Sequence, residues 1–210
     1  LVLRGFSQLC FQSNELTGLI FFVAVLIAAP IAAAYFLVAG LLAPVGRMVI
    51  GTPKAALETG LPGLNPGLIA LSLPAFFETS WSDAGMWLVL VICVVATIVL
   101  VHLCVAVLPV PTIALPCLLV FWALYALAPH LDVLRPVPFT ALAPDTFHPL
   151  KAILLSLGQV LFTPTMGAGA LFAAGMVLSN WRHGLIAVLG AAIGTAVAYY
   201  YRNVDPASVD

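Results

Sequence analysis

Two glutamines, Gln8 and Gln159, are the residues of this chain with the most chemistry to offer. Each sits in a short apolar stretch, GFSQLCFQSNELTG over Gly5–Gly18 and SLGQVLFTPTMGAG over Ser156–Gly169. A shift of 151 residues lays one stretch on the other. It pairs Gln8 with Gln159, Phe11 with Phe162 and Gly18 with Gly169, and just outside the window Leu3 with Leu154 and Phe21 with Phe172. Shared apolar residues in two apolar stretches carry little information. A shared amide carries more, because an amide in hydrocarbon costs several kcal/mol unless it is hydrogen-bonded. The pair therefore reads as one site present twice. Two uses are open to it: accepting from a small solute, or bonding amide to amide across an interface, a pair worth only about 0.6–2 kcal/mol in lipid.

The elements that position these amides lie in a membrane. The chain of 210 residues is 63% hydrophobic and 7% charged, against about 25% charged in a soluble domain. Its charge-free runs are long: Leu16–Gly46, Ala84–Leu131, Ala152–Trp181 and Gly184–Tyr201. A crossing needs about 20 apolar residues, so these runs hold about six or more crossings or half-crossings. The fold class is all-α, a polytopic membrane protein. A formal net charge of -1 leaves no basic patch and no case for nucleic acid. The Lys and Arg residues are scattered singly and set no orientation. Cys10, Cys93, Cys104 and Cys117 lack metal-ligand spacing and read as small packing residues, so no metal or cofactor is expected.

Along the chain, a short helix over Leu1–Phe11 is followed by a second over Glu15–Ala29, which stops at Pro30. Ile31–Ile50 is long enough to span, with a kink at Pro44. Asn65 followed by Pro66 reads as a helix start, with Asn65 as the cap and Pro66 in the first turn. Pro74 limits that helix to Pro66–Leu73, about 12 Å against a hydrocarbon core of about 30 Å. It cannot cross, and a half-helix at membrane depth must line a cavity or be buried in protein. Ala84–Leu108 spans, with Trp81 and Trp87 at the interface. Its His102 reads as a neutral imidazole bonded to a neighbouring helix. Pro109, Pro111 and Pro116 then break the chain a second time, and the freed carbonyls around Thr112–Ala114 need partners or a polar solute. Leu118–Ala128 completes that crossing.

The organisation expected is a first transmembrane repeat over 1–130 with a re-entrant helix near 65–73, a proline-rich linker over 131–150, and the start of a second repeat over 151–210. Counterparts of Leu64 and Ala114 fall beyond residue 210, so the chain reads as about one and a half repeats of a longer protein. An odd number of crossings per unit makes the repeats inverted, with the site where they meet.

These residues resemble the urea transporter family. Its repeats open on a small-Gln-apolar element followed by phenylalanine and glycine, here Gln8, Phe11 and Gly18, then Gln159, Phe162 and Gly169. A Gly-x-x-Gly-x-Asn element follows as Gly60, Gly63, Leu64 and Asn65. The family's Leu-Pro-x-x-Thr-x-Pro-Phe signature appears altered, as Val110 to Cys117, with Ala114 in place of threonine and Cys117 in place of phenylalanine. The resemblance implies a passive urea channel of the bacterial type, in the inner membrane, with five spans and one re-entrant helix per repeat. It also implies a homotrimer with one pore per protomer.

Such a path needs an apolar slot with acceptors along one wall, because urea is flat and neutral. Phe11 and Phe162 are the expected faces of the slot, with Leu9, Val160, Leu64 and Leu68 as its edges. Gln8 and Gln159 are the acceptors at its ends, and carbonyls around Thr112 and Ala114 are rungs between them. Ions are refused because nothing charged repays their dehydration. The lost threonine admits an alternative class, a non-transporting structural or sensory relative. An enzyme is not expected: Ser156, Ser179 and His183 form no recognisable nucleophile arrangement, and ion coupling would want carboxylates inside the membrane, whereas Glu15 and Glu58 lie at helix ends.

Overall fold

In the computed structural model, residues 1–138 and 148–204 are described and their regular structure is helical apart from one isolated bridge. The tip of the expected linker, 139–147, and the end of the chain, 205–210, lie outside the described residues.

Helix α1 (Val2–Ser7) tightens into a 3-10 turn over Gln8–Cys10 and stops at Phe11, whose φ of 55° and ψ of 30° are left-handed. Such a conformation costs a non-glycine residue about 1–2 kcal/mol. The chain restarts at Asn14, whose side chain accepts from Leu16 and Thr17 N–H and caps α2 (Glu15–Ala28). The axes before and after the turn differ by 79°. The same sequence of events recurs 151 residues on. Helix α8 (Pro149–Gln159) ends, Phe162 takes a φ of 55°, and Thr165 caps α9 (Met166–Ser179) through the Ala168 N–H. The recurring glycine now has a reason. A Cβ on Gly18 would overlap the carbonyl oxygen of Leu3, and one on Gly169 the carbonyl oxygen of Leu154. Each short helix lies against the following one at a distance only glycine permits.

Among the described residues three helices are long and apolar enough to span: α3 (Pro30–Val49), α6 (Ala84–Val107) and the Trp181–Tyr201 part of α10 (Trp181–Val204). Pro30 opens α3 at a position where its missing N–H is harmless. Asp83 caps α6 by accepting from Met86 N–H. Tyr35 packs on Trp87 and Gly46 lies against Ile98, so α3 and α6 run parallel. By contrast α2 and α9, which are counterparts, run antiparallel: Thr17 donates to the Gly175 carbonyl at 3.0 Å and Phe21 stacks on Phe172. The two copies therefore enter in opposite directions.

The polar connection after α3 holds a short helix, α4 (Lys54–Glu58). Helix α5 (Leu64–Phe76) is the most enclosed element, with Leu64–Gly67 and Ile69–Leu73 buried. Its 13 residues reach about 20 Å, short of the hydrocarbon thickness. Two expectations about it are corrected. Asn65 is not its cap, and the helix continues through Pro74 to Phe76, because a proline so near a C-terminus removes a single late rung. The second break is shorter than expected, since Pro116 sits in the first turn of α7 (Leu115–Leu127) rather than in the break. After α7 the start of the linker is anchored: Glu78 N–H bonds the Arg135 carbonyl at 2.8 Å and Val137 N–H the Phe76 carbonyl at 2.9 Å. His102 is exposed and makes no hydrogen bond to a described residue, which corrects its expected tie to a neighbouring helix. It faces outward because the inner stripe of α6 is taken by Leu90, Cys93, Val94, Thr97 and Ile98.

Candidate functional site

The expected site residues group around the two ends of α5. At its start, Gln8 is 6% exposed and its Nε2 donates to the Thr59 carbonyl at 2.7 Å. Thr59 is fixed in turn, since Ser13 Oγ donates to the same carbonyl at 2.9 Å and Arg4 Nη1 to the Glu58 carbonyl at 2.9 Å. Leu9 is buried beside Gly67 of α5, Leu64 is buried, and Leu68 is half-buried between the two apolar cores. The Gln8 Oε1 receives no donor from the described residues. One acceptor in a largely buried position is thus left open, which is what a neutral N–H donor would need.

Thr112 and Ala114 lie beside this group because of Asn65. Its Nδ2 donates to the Ile113 carbonyl at 2.9 Å and its Oδ1 accepts from Cys117 N–H at 2.9 Å. The amide thus stitches the start of α5 to the start of α7, and Ile113 is held at a φ of 44°. The carbonyls that the prolines were expected to leave free are occupied: Thr112 O accepts from Leu115 N–H and Ala114 O from Leu118 N–H. Rungs there are limited to second lone pairs.

At the far end of α5, Phe162 meets Phe76 edge to face, ring centroids 6.3 Å apart. Gln159, one turn before, is exposed and makes no hydrogen bond to a described residue, and Val160 is exposed at 42%. Phe11, the counterpart of Phe162, is 58% exposed. The amides do not bond each other, so the glue alternative is not what the structure contains: Gln8 is held within its own copy and Gln159 stands apart. Nearby, a cavity of about 500 Å³ opens where Glu78 and Asp83 meet Asp132 and Arg135.

Sequence reasoning missed Gln12. It is 6% exposed, and its Oε1 accepts from Ser179 Oγ at 2.9 Å while its Nε2 lies 3.1 Å from His183 Nδ1. Ser179 and His183 thus meet on an amide of the other copy, each against Gln12 and not as a nucleophile pair. The repeat criterion hid Gln12 because its counterpart is Thr163. Among the described residues no three His, Cys, Asp or Glu side chains converge as a metal site.

A helical membrane bundle with a buried half-helix, antiparallel copies and unsatisfied amides at its broken-helix turns defines a solute channel or transporter of the inverted-repeat class. The family model described as urea transporter matches residues 1–207, and the chain belongs to the urea transporter family. It is a multi-pass membrane protein and a passive channel-type transporter of urea. Comparison with curated proteins gives no match.

Proposed function

We propose that urea passes along α5, between the Gln8 turn at its start and the Gln159–Phe162 turn at its end. The observation that carries this reading is the open Oε1 of a buried Gln8 whose Nε2 is already spent on Thr59. A fixed amide with one free acceptor is pre-oriented for a urea N–H and loses little entropy on binding. Leu9, Leu64 and Leu68 supply apolar edges there. Phe11 and Phe162 supply faces, and Gln159 with Val160 completes the second end. Thr112 and Ala114 border the path through the backbone that Asn65 holds. A neutral solute exchanges its water for these groups at small cost, while an ion finds no counter-charge in the row.

The same reading takes 1–130 and 151–210 as two inverted repeats joined by a linker over 131–150. It places the protein as a homotrimer, one pore per protomer, in the inner membrane of a bacterial cell, which rests on the family likeness. Stopped-flow light scattering of proteoliposomes tests the path. Gln8→Leu should bring urea permeability down to that of empty vesicles, with the oligomer unchanged by size-exclusion light scattering. Permeability equal to the parent would take Gln8 off the route.

A further inference from the structure

The Gln12 cluster does something the path alone does not require. Its Nε2 donates to the Cys10 carbonyl at 2.9 Å and faces His183 Nδ1 at 3.1 Å, and its Oε1 takes the Ser179 hydroxyl at 2.9 Å. Cys10 closes the 3-10 turn that begins at Gln8 and precedes the left-handed Phe11. Ser179 and His183 belong to the other copy, at the corner between α9 and α10. One side chain thus ties the turn bearing Gln8 and Phe11 to the opposite repeat. Among the described residues the second copy has no equivalent tie: Thr163 stands at the matching position, and its buried Oγ1 has no partner there.

We propose that Gln12 is a positioning residue for the urea path, a latch that holds the Gln8–Phe11 turn in place only while His183 is neutral. The proposal rests on the assignment of that turn to the path. A neutral ring accepts at Nδ1 from the Gln12 amide, so every hydrogen of Nε2 is used. A proton taken up from solvent at Nδ1 turns that contact into donor against donor. The nearest acceptor is then Oε1, already 3.4 Å from Nδ1. Rotation of the amide brings Oε1 to the imidazolium and Nε2 to Ser179 Oγ, which can accept. The Cys10 carbonyl is left without its donor, and the turn before Phe11 loosens.

The elements meeting at this corner carry few charges. Arg4 of α1 and Glu15 of α2 are paired with each other at 3.1 Å, α9 carries no charge, Arg182 of α10 lies over the Trp181 ring, and α8 contributes Lys151. His183 itself is exposed, so protons reach it.

The test is urea permeability of proteoliposomes holding the full chain, followed from about pH 8 to about pH 5. The parent should lose about fivefold as the ring protonates, the equivalent of one hydrogen bond. Gln12→Leu should be low and flat. Gln12→Glu should also be low and flat, since a carboxylate has no N–H for the Cys10 carbonyl at any pH. A flat parent profile, or a Gln12→Glu profile that follows the parent, overturns the latch. Absence of urea flux in the parent at every pH would instead sink the path, and the latch is then read from the His183 ring by NMR in detergent. Gln12→Leu must shift its tautomer or titration midpoint; superimposable curves overturn the proposal independently of transport.

Discussion

Phe21 and Phe172 stack with ring centroids 5.0 Å apart and planes 13° from parallel, and they are the same residue of the two copies. A side chain that meets its own counterpart lies on the axis relating the copies. Together with the Thr17–Gly175 bond that contact sets α2 antiparallel to α9, and both rings are buried in the cluster that holds Phe6, Phe36 and Leu71. In lipid this packing is not driven by escape from water. It depends on close van der Waals fit, and offset aromatic stacking is one of the tighter fits available.

Because the pair is self-symmetric, Phe21→Ala and Phe172→Ala should cost about the same, 3–5 kcal/mol each by the cavity they leave. Their double mutant should fall short of the sum by about 1 kcal/mol, the stacking itself. Thermal unfolding of the four species in detergent checks this. Strongly unequal single losses would show that the ring contact is not on the axis.

Glycine 18 and its counterpart should tolerate nothing larger. Gly18→Ala and Gly169→Ala each drive a Cβ into a backbone carbonyl, an overlap no rotamer relieves, and each should cost at least about 3 kcal/mol. Gly167→Ala, where a Cβ meets nothing within 4 Å, is the control. Monodisperse yield after solubilisation separates the two outcomes.

Asn65 should behave as a bond between two broken segments rather than as a helix cap. Asn65→Ala removes both the Ile113 and the Cys117 contacts, a loss of about 2–3 kcal/mol. The start of α7 should then move, exposing the buried Cys117 thiol. With Cys10 and Cys104 replaced by serine, maleimide labelling should accelerate at Cys117 and stay slow at Cys93. Equal labelling before and after the substitution would mean that α7 is held by packing alone.

The sequence by itself determined the solvent and the punctuation. So few charges can only be covered by lipid, and Pro30, Pro109 with Pro111, and the echo of Gln8 in Gln159 mark where helices break, since those effects act within a few residues of their cause. It also disclosed that glycine recurs at 18 and 169, though not why. Only the tertiary structure decided what the polar groups bond to. Asn65 has the local look of a cap, yet a distant break with a carbonyl and an N–H to satisfy outbids its own helix end. Gln12 has no echo to flag it, and its importance arises from Ser179 and His183, more than 160 residues away along the chain. Hydrogen-bond partners across a repeat interface are set by how two bundles dock, and no local pattern of residue types encodes that.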